Sequence, residues 1–118
     1  MGKAHGDLDR VRQLLEQHPA LVNSAWDWGN GDWETGLGAA AHVGRHDIAL
    51  YLIERGARMD IFAAAMLGYL PIVRAMIEAV PEARSWCGPH GIPLLTHAEA
   101  GGAAAAAVAD YLCAPPRA

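Results

Sequence analysis

Apolar residues recur along the chain in two different patterns. In residues 8–15, 48–52 and 73–80 they return every three or four positions, which is typical of a helix that buries one face. Residues 37–43 and 61–67 are instead rich in alanine and apolar almost all round, which predicts inner helices packed between neighbours. Gly44 and Gly68 follow these two segments, and Gly6 and Gly101 hold the corresponding positions near the two ends of the chain. We expect all four glycines to be left-handed and to lead into a second, antiparallel helix.

The chain also repeats itself. A shift of 62 residues aligns Gly6, Val11, Arg12, Glu16 and Pro19 with Gly68, Val73, Arg74, Glu78 and Pro81. A shift of 57 residues aligns Gly31, Leu37, Ala41 and Gly44 with Gly88, Leu94, Ala98 and Gly101. Such periodicity is the signature of a solenoid. It predicts one domain over residues 1–118, built from four units near residues 4–24, 31–58, 60–82 and 88–114.

Two stretches resemble the ankyrin repeat family. The first stretch begins with residues 35–44, TGLGAAAHVG, and continues through Ile48 and Leu52 to Gly56-Ala57. It is similar to the family's Thr-Pro-Leu-His-x-Ala-Ala opening, its central Gly and its closing Gly-Ala. Residues 92–98 repeat the opening with Pro93 in place. The resemblance extends over roughly residues 4–112. It implies an all-α, ankyrin-type solenoid of stacked helical hairpins, in which loops and inner helices bind another protein.

The units depart from the family pattern in length. Gly36 replaces the opening Pro, and the glycine spacings are 38, 24 and 33 residues against a family period of about 33. We therefore expect an enlarged loop before the second unit, a third unit whose helix starts directly at Ile61, and a fourth whose second helix starts late, near Ala105. Only five residues precede Gly6, so we expect the first unit's apolar stripe to have less cover than the third's, and weak self-association through an exposed end.

The enlarged loop, residues 26–34, has the sequence WDWGNGDWE. Tryptophan is an efficient anchor at protein interfaces because it buries much area with few rotamers to lose. The candidate partner-binding residues are Trp26, Asp27, Trp28, Asp32 and Trp33, together with Trp86 and His90 in the corresponding loop of the fourth unit. The carboxylates of Asp27, Asp32 and Glu34 would favour a basic partner. Alternatively, the rings fold back and cover the alanine-rich helices.

Composition narrows the classes of partner and compartment. Hydrophobic residues make up 53% of the chain and charged residues 19%, which is typical of a folded domain. The net charge of −4 disfavours nucleic acids and anionic membranes, and the longest apolar runs are too short to span a bilayer. Cys87 and Cys113 stand alone in a chain without a signal segment, which indicates reduced thiols and a cytoplasmic protein.

The histidines give no metal signal in their spacing. His42 and His46 are four residues apart, but Gly44 between them should end the helix that would place both on one face. His90 and His97 are separated by Pro93, which predicts one in a loop and the other on a helix. Because no carboxylate joins these histidines at ligand spacing, we predict neither a metal site nor a cofactor.

Catalytic patterns are also missing from the sequence. Asp7, Asp9 and Asp47 fall at predicted helix starts, where carboxylates cap free N–H groups. No serine lies in a nucleophile elbow. The leading hypothesis is a non-catalytic module that binds another protein. The alternative is a small-molecule-binding protein or weak hydrolase, for which the Trp- and His-containing loops would have to form a deep pocket around a His90 with perturbed titration.

Overall fold

A computed structural model of the protein describes residues 2–114. Within that range seven α-helices and two short strands follow one another. The helices are α1 (Leu8–Gln17), α2 (Gly36–His42), α3 (His46–Glu54), α4 (Ile61–Leu67), α5 (Leu70–Ala79), α6 (Leu94–Ala100) and α7 (Ala106–Cys113). The strands are β1 (Ala25–Asp27) and β2 (Trp33–Thr35), and short 3-10 turns cover Gly2–His5, Pro19–Asn23, Pro81–Ser85, Pro89–Gly91 and Gly102–Ala105. The prediction of a mostly helical protein is confirmed, whereas the two strands were not predicted.

The helices pack in consecutive pairs. Helix α2 contacts α3, α4 contacts α5, and α6 contacts α7, while α2, α4 and α6 also pack against one another. Small side chains permit this close packing: the alanines at 39–41 and 63–65 have no exposed surface. One face of α4 joins a core cluster with α1–α3, and its other face joins a second cluster with α5–α7. Helix α4 therefore connects the two halves of the core.

Side chains cap α1, α2 and α4; of the predicted caps Asp7 is confirmed, whereas Asp47 lies inside α3, which has no side-chain cap. Asp60 accepts a hydrogen bond from the Ala63 backbone N–H at 2.8 Å, so α4 begins at Ile61 with no loop before it, as predicted. Asp7 caps α1 by accepting from the Arg10 N–H at 3.0 Å. Thr35 caps α2 by accepting from the Gly38 N–H, also at 3.0 Å. Since Thr35 is the last residue of β2, the strand leads directly into the helix.

Two glycines are required by both conformation and space. Gly44 and Gly68 have φ of +72° and +82°, and a Cβ at either position would collide with a carbonyl oxygen, of Ala100 and Ala104 respectively. The left-handed prediction is wrong for Gly6, which does not have a positive φ, and for Gly101, whose φ is −72°. There the reason for glycine is close contact, because a Cβ would collide with the Met66 carbonyl oxygen. Gly102 is left-handed instead and opens the 3-10 turn that delays α7 to Ala106, near the expected start.

The first unit has a 3-10 turn in place of an inner helix, and the turn packs against α1 and α2. The expected difference in cover between the two stripes is not uniform: Val11 and Leu15 are 6% and 8% exposed against 0% and 6% for the equivalent Val73 and Ile77 of the third unit, but Met76 is 38% exposed and its counterpart Leu14 is half-buried. At the other end, Pro115 and Pro116 lie outside the described residues. Among the helices of residues 2–114, none is both long and apolar enough to cross a membrane.

Candidate functional site

The enlarged loop forms a β-hairpin, here named the tryptophan hairpin (residues 25–35). Strands β1 and β2 are antiparallel, with Trp26 opposite Glu34 and Asp27 opposite Trp33. The connecting turn is closed by the Trp28 N–H, which donates to the Asp32 carbonyl at 2.9 Å, and by the Gly29 N–H, which donates to Asp27 Oδ1 at 2.8 Å. Of the predicted site residues, Asp27 therefore has a local role in shaping the turn.

The tryptophan side chains do not fold into the core. Trp26 and Trp33 are 57% and 60% exposed, and Trp28 and Trp86 are 46% and 41% exposed. The alternative in which the rings cover the inner helices is therefore wrong for Trp26 and Trp33, whereas Trp28 and Trp86 are each more than half buried. Trp26 and Trp33 belong to adjacent cross-strand pairs, so their side chains leave opposite faces of the ribbon. A partner that contacts both rings has to enclose the hairpin rather than lie flat against it.

Beneath the hairpin lies a group of four side chains, here named the His–Glu cluster (His5, Glu34, His42 and His90). One ligand-capable atom from each lies within 4.8 Å of the others. The Nε2 atom of His5 is 3.2 Å from Glu34 Oε1, and the Nε2 atoms of His42 and His90 are 3.1 and 3.2 Å from Glu34 Oε2. The Nε2 atoms of His5 and His42 are 3.1 Å apart. The three imidazoles thus converge on one carboxylate.

Each member of the cluster comes from a different element. His5 ends the first 3-10 turn, Glu34 is the middle residue of β2, and His42 is the last residue of α2. His90 lies in the turn before α6 with φ of +61°, a left-handed conformation that is uncommon outside glycine. Glu34 is only 1% exposed. The expectation that its carboxylate helps to select a basic partner is therefore wrong, because the carboxylate faces the interior.

Asp32 fixes His90 in place. The backbone N–H of His90 donates to Asp32 Oδ1, and the ring Nδ1–H donates to Asp32 Oδ2 at 2.8 Å. The backbone hydrogen bond is the main cause that lowers the pKa of Asp32 below its usual value. For His90, desolvation lowers the pKa, but the hydrogen bond to Asp32 and the charges of Glu34 and Asp32 outweigh it and raise the pKa. Burial is the main cause that lowers the pKa of His42.

Trp28 lies against the same cluster. Its indole Nε1–H donates to Glu34 Oε1 at 3.1 Å, and its ring centroid is 6.2 Å from that of His5 and 5.8 Å from that of His90. The structure thus brings three predicted site residues, Trp28, Asp32 and His90, together around the cluster. Trp26 and Trp33 remain outside it.

Sequence reasoning missed His5, Glu34 and His42 as a group. Their positions follow no helical or loop spacing, because chain segments far apart in sequence bring them together. The separation of His42 from His46 by the glycine turn is confirmed, since His46 points elsewhere and its Nε2 lies 2.9 Å from the Gly101 carbonyl oxygen. The expectation that no carboxylate would join the histidines is wrong, because it considered only neighbours in sequence.

Comparison of the chain with protein-family models, with curated proteins and with solved structures gives no match in any of the three.

Proposed function

We propose that this chain is a non-catalytic protein-interaction module of the ankyrin type, which binds its partner through the tryptophan hairpin. The observation that carries the proposal is the exposure of Trp26 and Trp33, each more than half accessible on a hairpin held by the folded helices. Large aromatic rings held in an ordered backbone lose little entropy when a partner covers them. Such rings dominate the binding energy of many protein interfaces.

The arrangement of helices supports the ankyrin part of the proposal. Three consecutive helix pairs, with α2, α4 and α6 packed against one another, are compatible with stacked repeats. The hairpin precedes α2, where the ankyrin resemblance places a finger loop. In this interpretation the third unit has no finger, so a partner reaches the hairpin without an adjacent loop in its way.

The chemistry of the hairpin indicates which contacts matter. Trp26 and Trp33 would supply apolar anchors, and Trp28 and Trp86 are exposed to a smaller extent. Asp32 is already paired with His90, and Asp27 with the Gly29 N–H, so apolar contact rather than charge would provide most of the affinity. The exposed free thiols of Cys87 and Cys113 support a reducing, cytoplasmic setting for this binding.

The proposal is tested by affinity capture followed by a measured binding constant. Immobilised chain is used to capture proteins from a lysate of the source cell, and each captured protein is then purified and titrated. The titrations use wild type, Trp26→Ala, Trp33→Ala and the control Leu50→Ala, which removes an exposed apolar side chain from α3. We expect at least one tryptophan variant to lose about 2 kcal/mol or more of binding free energy while the control does not.

Two outcomes contradict the proposal. One is a partner that binds the double variant Trp26→Ala/Trp33→Ala as tightly as wild type. The other is a loss of more than about 3 kcal/mol in the free energy of unfolding with unchanged binding, which would make the rings part of the core.

A second candidate function, small-molecule binding or weak hydrolysis, is favoured by the perturbed titration of His90 beside the Trp28 ring. It predicts that an activated ester is hydrolysed faster by the chain than by the His90→Gln variant. Equal rates would contradict the hydrolase form of this candidate.

A further inference from the structure

The four segments that form the His–Glu cluster are distant in sequence but meet at one point. Three imidazole nitrogens and one carboxylate are a donor set that suits Zn²⁺ and related transition metals, whereas Mg²⁺ and Ca²⁺ prefer oxygen ligands. The atoms lie within 4.8 Å of one another, so a single ion could contact all four.

The contact distances are close to those of a tetrahedral zinc site. Zn–N and Zn–O bonds of about 2.0–2.1 Å place tetrahedral ligand atoms about 3.3–3.4 Å apart. In the cluster the His5–His42 separation is 3.1 Å, and the three imidazoles lie 3.1–3.2 Å from the Glu34 carboxylate. His5 contacts Oε1 of Glu34 whereas His42 and His90 contact Oε2, so the ligand atoms, which lie within 4.8 Å of one another, would have to close around a bound ion.

Glu34 supplies an independent indication of a cation site. Its Oε2 atom is buried and has no hydrogen-bond partner, although two imidazole nitrogens lie near it. A buried carboxylate oxygen without compensation is costly, and such groups are ordinarily paired or coordinated to a metal. The unpartnered oxygen points into the centre of the cluster, where an ion would lie.

The surroundings of the histidines orient them as ligands. Asp32 accepts the Nδ1–H of His90 at 2.8 Å, and the Gly2 carbonyl accepts the Nδ1–H of His5 at 3.3 Å. A proton on Nδ1 directs the Nε2 lone pair of each ring toward Glu34. A carboxylate or carbonyl that holds the far side of a ligating imidazole is the usual second-sphere arrangement around zinc.

We propose that His5, Glu34, His42 and His90 form a four-ligand site for a divalent transition-metal ion of the zinc class. With four protein ligands no position stays open for substrate, so the ion is structural. It ties the first 3-10 turn, the tryptophan hairpin, the end of α2 and the loop before α6 together. The His90 side chain is 31% exposed, which leaves the ion a path from solvent.

The test uses the full chain after chelator treatment, with Zn²⁺ and Co²⁺ as separate probes. Calorimetric titration should give one Zn²⁺ per chain. Co²⁺ should give the intense visible absorption of a four-coordinate site, without the charge-transfer band of a thiolate ligand. Hydrogen exchange of the hairpin and of residues 86–93 should slow when Zn²⁺ is added, because the ion holds both segments.

Variants identify the ligands. Glu34→Gln, His42→Gln and His90→Gln should each weaken Zn²⁺ binding more than about 100-fold, and Asp32→Asn, which acts through His90, about 10- to 100-fold. The matched control His18→Gln removes an exposed histidine outside the cluster and should leave the affinity unchanged. Cys87→Ser should also leave it unchanged. Circular dichroism of each variant checks that it folds.

Three results overturn the proposal. The first is a weak, octahedral Co²⁺ spectrum in the wild-type chain, a measurement that needs no variant. The second is an unchanged Zn²⁺ affinity in the cluster variants. The third is loss of binding in Cys87→Ser, which would place the metal on the thiol instead. None of these measurements involves a protein partner, so they leave the interaction proposal to its own test.

Discussion

Asp32 and His90 lie 58 residues apart in sequence and are joined twice. The Asp32 carboxylate accepts the His90 backbone N–H through one oxygen and its ring Nδ1–H through the other. Two hydrogen bonds from one residue to one carboxylate fix both the position of the loop and the rotation of the ring. The tryptophan hairpin and the loop before α6 are thereby held as one surface.

Replacing Asp32 should loosen this connection. In Asp32→Asn the amide can accept only one of the two hydrogen bonds, so the His90 backbone N–H should exchange with solvent faster than in wild type. Hydrogen exchange measured by NMR or mass spectrometry checks this. Asp110→Asn, which changes an exposed carboxylate on α7, is the control and should not alter exchange at His90. Unchanged exchange in Asp32→Asn would mean that the loop is ordered by its own backbone.

Trp28 should differ from Trp26 in its effect on stability. The substitution Trp28→Phe keeps an aromatic ring but removes the Nε1–H that donates to the buried Glu34 carboxylate. We expect it to cost about 1–3 kcal/mol in the free energy of unfolding, because a hydrogen bond to a buried charge is lost. Trp26→Phe, on an exposed ring, should stay within about 0.5 kcal/mol of wild type. Equal losses in urea unfolding would contradict this distinction.

Gly68→Ala and Gly102→Ala together should distinguish the cost of backbone strain from the cost of close packing in the free energy of unfolding. Both Gly68 and Gly102 have positive φ, but a Cβ at Gly68 collides with the Ala104 carbonyl, whereas one at Gly102 meets nothing within 4 Å. Gly102→Ala should therefore cost only the left-handed strain of about 1–2 kcal/mol. Gly68→Ala should lose about a further 1–3 kcal/mol by overpacking. Similar values for the two variants would show that the two helix pairs are less tightly packed than described.

His97 should make stability depend on pH. The ring is buried on α6, its Nδ1–H donates to the Pro93 carbonyl at 2.9 Å, and its Nε2 has no partner. Burial is the main cause that lowers its pKa below 6.5. Because the unfolded chain then binds the proton more readily, this contribution to stability is complete above about pH 6.5 and is lost as pH falls through the folded-state pKa.

The pH effect is measured by comparing thermal unfolding at about pH 7.5 and about pH 5.5. His97→Gln cannot titrate, so its melting temperature should fall less than that of wild type between the two values. His18→Gln, on an exposed residue, should behave as wild type does. A fall of the same size in all three proteins would place the acid sensitivity elsewhere.

Weak self-association through one end of the stack stays a prediction from the repeat pattern. In repeat proteins each unit depends on a neighbour to cover its apolar face, so terminal units tend to associate. We expect light scattering to show an increase in mass at about tens of micromolar. Half-buried apolar side chains lie at both ends, Leu8 and Leu14 on α1 and Tyr111 and Leu112 on α7, so either end is a candidate. A mass that stays monomeric to about millimolar concentration would contradict the prediction.

The periodicity of apolar residues was sufficient to predict most of the helices. The inner helix at Ile61 begins at the residue that the short glycine spacing predicted, because Asp60 can cap a helix without any preceding loop. The delay of α7 was likewise predictable, since Gly101-Gly102 cannot readily continue a helix. These features depend on residues only a few positions apart, so they can be predicted from the sequence alone.

The tertiary structure alone decided the His–Glu cluster and the role of Glu34. The sequence placed Glu34 in an exposed acidic loop, yet pairing of β2 with β1 and the direct entry into α2 turn its side chain inward. Likewise Gly101 is needed for contact with Met66 rather than for its own φ. Contacts between segments dozens of residues apart depend on how the helix pairs pack. That packing cannot be predicted from the spacing of residues along the chain.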